Sequence, residues 1–133
     1  MSEVAATAQA LLDACPYARF LGVRLEPGES GPMAVLPFAA RLIGNPILPA
    51  LHGGVVASFL ELAALARLDA EGKRARTIDI TVDYLRPARP VTTYADARIL
   101  KLGRRAANVA VEAWQEDRAN PVAALRGHFM IVG

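Results

Sequence analysis

The sequence predicts an α+β domain in which an antiparallel sheet of five to six strands wraps around one long central helix. Two observations point there. Between Val55 and Ala66 the segment His52 to Glu71 carries only two polar residues, Ser58 and Glu61, and a helix apolar on nearly all sides is buried nearly all round. Around it lie stretches in which apolar and polar residues alternate with period two, the pattern of half-buried strands. No further long helix is available for the crossovers that parallel strands need, so most strand pairs are expected to be antiparallel.

The elements follow in order. Glu3 to Ala14 is rich in Ala and Leu and predicts a short helix, stopped near Pro16 and appended to the domain as residues 1–16. Phe20 to Glu26 places Leu21, Val23 and Leu25 on one face and predicts a strand. Pro27-Gly28-Glu29-Ser30-Gly31 predicts a turn, and Pro32 to Phe38 the second strand of a hairpin. Ala39 to Leu51, rich in Gly and Pro, predicts an irregular loop. The central helix of about five turns comes next. Arg76 to Arg86 then predicts a strand with Ile78, Ile80, Val82 and Tyr84 on one face and Thr77, Asp79, Thr81 and Asp83 on the other. Val91 to Leu102, Arg105 to Glu116 and Pro121 to Val132 complete the set, the second of these with Ala107, Val109, Val111 and Ala113 together. Such a sheet satisfies every apolar face and leaves its outer face and edges for pairing with a second copy.

Composition narrows the function classes. The 133 residues are the size of a single domain, and 53% apolar against 21% charged residues excludes a disordered chain. Fifteen Lys and Arg against thirteen Asp and Glu leave a net charge of +2 with no basic run longer than two, which speaks against nucleic acid. Thirteen of the basic residues are Arg, the side chain suited to phosphate and carboxylate, so small anionic ligands stay open. Cys15 is the sole cysteine and His52 and His128 the only histidines, which excludes an intrachain disulfide and leaves no metal-ligand set. The first residues lack a signal-peptide pattern. The longest charge-free stretch, Leu42 to Leu60, is broken by Pro46 and Pro49 and is no membrane span. The expectation is a cytoplasmic protein with no membrane partner.

Glu61 is the anomaly, a single carboxylate within an apolar helix. Burying an unpaired carboxylate is costly, so it either takes up a proton or lines a cleft; an exposed strip or an Arg partner would also accommodate it. His52-Gly53-Gly54 opens the same helix, where uncovered N–H groups and the positive end of the helix dipole favour an oxyanion. A glycine turn at a helix start would carry the same sequence. Asn45 alone reads equally as a turn residue.

Together, Asn45, His52-Gly53-Gly54 and Glu61, the segment Thr77-Ile-Asp-Ile-Thr-Val-Asp-Tyr84-Leu-Arg-Pro87 and the later Lys101-Leu-Gly103-Arg104 resemble the hotdog-fold acyl-CoA thioesterases of the phenylacetate-degradation type, over about residues 17 to 133. The resemblance implies a hotdog fold and hydrolysis of an acyl-CoA thioester to free acid and CoA, with no cofactor, CoA being part of the substrate. It implies that the Gly53 N–H polarises the thioester carbonyl and that Glu61 is the general base or nucleophile. Asn45 and His52 would orient thioester or water, and Thr77 would help place that water. Two features depart from the family pattern. The acid is Glu where the closest members usually carry Asp, and Asn45 and His52 are seven residues apart where six is usual. Gly54 is expected at the substrate, and Arg86, Arg89, Lys101, Arg104 and Arg105 are the candidates for the CoA phosphates. The alternative is a non-catalytic hotdog module that binds acyl-CoA or an acyl group. A hydratase would want an Asp/His pair facing the alkene, and no such motif is present.

A homo-oligomer is expected, with a dimer as minimum unit and a dimer of dimers as the larger option. Gly53 and Glu61 are eight residues apart, about 12 Å along a helix axis, of which the lean of helical side chains recovers roughly 4 Å. Reaction needs contacts of about 3 Å, so the two groups are expected to meet only across a two-fold axis.

Overall fold

Two short helices lead into the sheet in this computed structural model, which describes residues 3–132. The first, α1 (Glu3–Asp13), matches expectation. The second, α2 (Pro16–Leu21), corrects it, because Pro16 starts a helix as well as stopping one. At the first helical position the missing N–H of proline costs nothing and its fixed φ is already helical. Gly22, at φ 82°, closes α2 by donating its N–H to the Ala18 and Arg19 carbonyls. Phe20 and Leu21 are therefore helical, and strand β1 runs only from Arg24 to Gly28.

Strand β2 (Gly31–Leu36) completes the expected hairpin, with Gly28 opposite Gly31. The loop expected to be irregular holds a 3-10 turn at Ala40–Leu42 and a miniature hairpin of β3 (Ile43–Asn45) and β4 (Ala50–Leu51). Helix α3 spans Gly53–Ala70, followed by β5 (Ala75–Tyr84), β6 (Thr93–Leu102), β7 (Ala106–Trp114) and β8 (Ala123–Ile131). The main sheet has six strands in the order β1-β2-β6-β7-β8-β5, every neighbouring pair antiparallel, with β1 and β5 at its edges.

Packing explains the composition. Phe59, Leu60 and Ala64 of α3 meet Val109, Val111, Leu125 and Phe129 of the sheet, all buried to 1% exposure or less. Around them the inner face is lined with buried alanines, Ala95, Ala97, Ala107, Ala113 and Ala123, whose small volume lets the helix seat closely against the strands at crystal-like density.

One departure positions the site. Strand β5 carries a register shift between Thr77 and Asp79 opposite β8, leaving Ile78 as the extra residue. Such a bulge reverses the facing of everything on one side of it. Thr77 therefore shares the inner face with Ile80 and Val82, which pack on the core, while Ile78 is 58% exposed. The expected grouping of Ile78 with Ile80 and Val82, on the face opposite Thr77, is corrected by that single residue.

Candidate active site

The site is built on α3. No residue between Val55 and Ala70 is fully exposed, yet Ala57, Ser58, Glu61, Leu62 and Leu65 are only half-buried. At spacings of three and four these form one strip along the helix, and Glu61 sits within it. The chain thus leaves its helical carboxylate half-buried and within reach of solvent. From the neighbouring strand β5, Thr77 Oγ1 donates to Glu61 Oε2 at 2.6 Å. The serine and threonine hydroxyl has lone pairs to spare after donating, so Thr77 can also accept from a water held beside the carboxylate.

The start of α3 is organised by His52. Its backbone N–H donates to the Leu42 carbonyl at 2.9 Å, and its Nδ1 accepts from the Gly54 N–H at 2.9 Å. His52 is thereby the N-cap, and as a neutral ring it carries its proton on Nε2. Its free ring nitrogen is a donor, which suits positioning better than abstraction of a proton. The Gly54 N–H faces the cap, and among the described residues the Gly53 N–H meets no acceptor. Gly53 therefore offers the open donor at the positive end of the helix. Gly44 makes the arrangement possible. A Cβ there would stand 2.6 Å from His52 Cα, so only glycine lets β3 pass this close to the cap.

Tyr84 is a neighbour of the site that the sequence pattern did not single out. Its hydroxyl donates to the Gly53 carbonyl at 2.8 Å, holding the helix start against the far end of β5. With Leu48, Leu51, Gly53, Val56 and Val122 it lines an open groove of about 360 Å³. The signal lay in its place on the inner side of an edge strand, beside an Arg-Pro pair.

Asn45 serves its own loop. Its Oδ1 accepts from the N–H groups of Ile47 and Leu48 at 3.1 and 3.2 Å, which shapes the turn carrying Pro46. The basic candidates divide between the two ends of the sheet. Arg86 follows β5 beside Tyr84 and donates to the Pro121 carbonyl at 2.6 Å, and Arg89 lies beyond it, its backbone held by Gln115. Lys101 and Arg104 stand at the opposite end, where Leu102, Ala107, Phe129 and Thr77 form one row across four strands. Within one chain, the Gly53 donor thus shares an end with Arg86 and Arg89, and Glu61 shares the other with Lys101, Arg104 and Arg105. His128, at 2.7 Å from Asp79 on the outer face, takes no part. Among the described residues no group of His, Cys, Asp and Glu could hold a metal ion, and no helix is long and apolar enough to cross a membrane.

Known proteins share this architecture. The family model of the thioesterase superfamily matches residues 48–122, which contain α3, Glu61, Thr77 and Tyr84. A medium/long-chain acyl-CoA thioesterase of Salmonella typhimurium is 36% identical over 121 residues, covering 77% of this chain and 77% of the relative. A structural-genomics target from the thioesterase superfamily superposes with a TM-score of 0.91 at 28% identity, covering 98% of this chain and all of that one. The Escherichia coli PaaI protein of the phenylacetic acid degradation operon has a TM-score of 0.85 over 98% of this chain and 94% of its own, and at 22% identity that likeness speaks for the fold. The six-stranded antiparallel sheet around α3 is the hotdog fold, and the chain belongs to the thioesterase superfamily, enzymes that hydrolyse thioesters.

Proposed function

We propose that this chain hydrolyses acyl-CoA to free acid and CoA, with Glu61 as the general base and the Gly53 N–H as the oxyanion donor. The observation that carries it is the half-buried Glu61 carboxylate, held by Thr77 on an otherwise apolar helix. Glu61 takes a proton from water as the water oxygen adds to the thioester carbon. The carbonyl electron pair moves onto oxygen, where the Gly53 N–H receives it. Collapse breaks the carbon–sulfur bond, and the proton on Glu61 passes to the departing CoA sulfur. His52 and Asn45 orient the groups around this exchange.

Each complete site takes its parts from two chains. Supporting this, Glu61 and Gly53 lie at opposite ends of the inner face, and β5 is a ten-residue edge strand with Ile78 and Tyr84 exposed. The loop beside it exposes Ile47 and Leu48. Long unpaired edge strands are usually covered in stable proteins, and a second copy running antiparallel would cover this one. The same two-fold brings Arg86 and Arg89 of one chain toward Lys101 and Arg104 of the other, a basic rim for CoA phosphates.

Thiol release from a panel of acyl-CoA thioesters tests the activity. Turnover that depends on Glu61 is expected. Tight binding of acyl-CoA with no thiol release from any of them would instead favour a non-catalytic acyl-binding module. The similarity to medium/long-chain enzymes favours acyl chains of that length.

A further inference from the structure

We propose that the apolar cleft between α1 and α3 receives the distal part of the substrate's acyl chain, with Cys15 in its wall setting how long a chain the site accepts. The inference rests on the thioesterase reading of Glu61. The cleft is about 120 Å³, lined by Leu11, Leu12, Cys15, Leu62, Leu65 and Ala75, with Lys73 and Arg74 at its rim. Its apolar lining offers methylene groups dispersion contacts and no polar partner to lose.

Position commits the cleft to this occupant. Leu65 lies one helical turn beyond Glu61 on the same strip, and Leu62 is its direct neighbour. Ala75 precedes Thr77 by two residues and packs inward with it. Two walls of the cleft thus come from α3 and β5, the elements that carry Glu61 and Thr77, and a chain leaving the reacting carbonyl toward α1 would reach it. The volume equals roughly four water molecules, so it engages only the end of a chain, and Leu65, about 6 Å along the helix axis from Glu61, lies beyond the reach of an acetyl group. Cys15 caps no backbone group with its side chain and is half-buried. Its thiol is free to line a binding surface.

Because Cys15 is the only cysteine, its alkylation reports on the cleft without interference. The probes are non-hydrolysable thioether analogues of CoA, one acetyl-sized and one carrying a dodecyl chain. At about ten times its Kd, the dodecyl analogue is expected to slow iodoacetamide labelling of the wild-type protein by about tenfold, as mass action leaves about a tenth of sites free. The acetyl-sized analogue is expected to leave the rate unchanged. Labelling that proceeds at the free rate while the dodecyl analogue is measurably bound would overturn the placement. As a second measure, Cys15→Met lengthens the side chain into the cleft, and the ratio of kcat/KM for long over short chains is expected to fall by about tenfold. An unchanged ratio would count equally against it. If the wild-type protein released no thiol from any thioester, the thioesterase reading itself would fail. Release of thiol without protection of Cys15 would overturn only the chain's placement.

Discussion

Thr77 donates to Glu61 across 2.6 Å, joining the edge strand to the one acidic position between Val55 and Ala66 of the central helix. The contact exists because the bulge at Ile78 turns Thr77 inward. Removing the hydroxyl while keeping the branched shape isolates its contribution. Thr77→Val is expected to lower kcat by about tenfold through a misplaced carboxylate and water, and to lower stability by about 1 kcal/mol. Thr77→Ser should restore most of both, read by thiol release and by denaturant unfolding. A Thr77→Val enzyme with unaltered kcat would remove Thr77 from the site.

Glu61→Gln keeps the side chain's length and leaves an amide oxygen to accept from Thr77. Folding and CoA binding are expected to persist while kcat drops by about 10²–10⁴, the usual contribution of a positioned base. Retention of near wild-type hydrolysis by this variant would refute the assignment of Glu61.

Gly53 separates a steric from an electrostatic role. A Cβ at Gly53 would come no closer than 3.5 Å to Tyr84, an ordinary contact, so Gly53→Ala should be nearly silent. Proline is accepted at the first position of a helix, and His52 already has the extended backbone (ψ 132°) that a residue before proline requires. Gly53→Pro should therefore fold, lose its N–H and lower kcat by about 10²–10³. Equal activity of the Ala and Pro variants would show that this N–H holds no oxyanion.

His52→Ala removes the cap from Gly54 and is expected to cost about 1 kcal/mol of stability, with a smaller loss of kcat than Glu61→Gln. A larger loss would make histidine the base. Asn45→Ala should likewise cost less turnover than Glu61→Gln, because its carbonyl oxygen is occupied by the Ile47 and Leu48 N–H groups.

Much of this was legible in the chain. A helix apolar on nearly all sides announced its own burial, and the lone carboxylate and the Gly-Gly start stood out against it. The facing of Thr77 and Ile78 was not legible, because a one-residue bulge leaves no mark on a period-two pattern. Helix α2 was hidden for a related reason. Leu21, Val23 and Leu25 alternate as a strand would, while Pro16 and Gly22 set helical boundaries that only the backbone angles decide. Tyr84 read as one more apolar strand residue, since its partner is a backbone carbonyl and carries no side-chain signal.

The central claim is that Glu61 of one chain and Gly53 of another complete one site. It is tested most directly by dissociating Glu61→Gln and Gly53→Pro proteins, each expected to be slowed at least about a hundredfold alone, and mixing them. Every heterodimer then holds one site with both lesions and one with neither. Thiol release is expected to return in proportion to the heterodimer fraction measured by native mass spectrometry, approaching half the wild-type turnover per dimer. Heterodimers present by mass with no activity recovered would contradict the shared site.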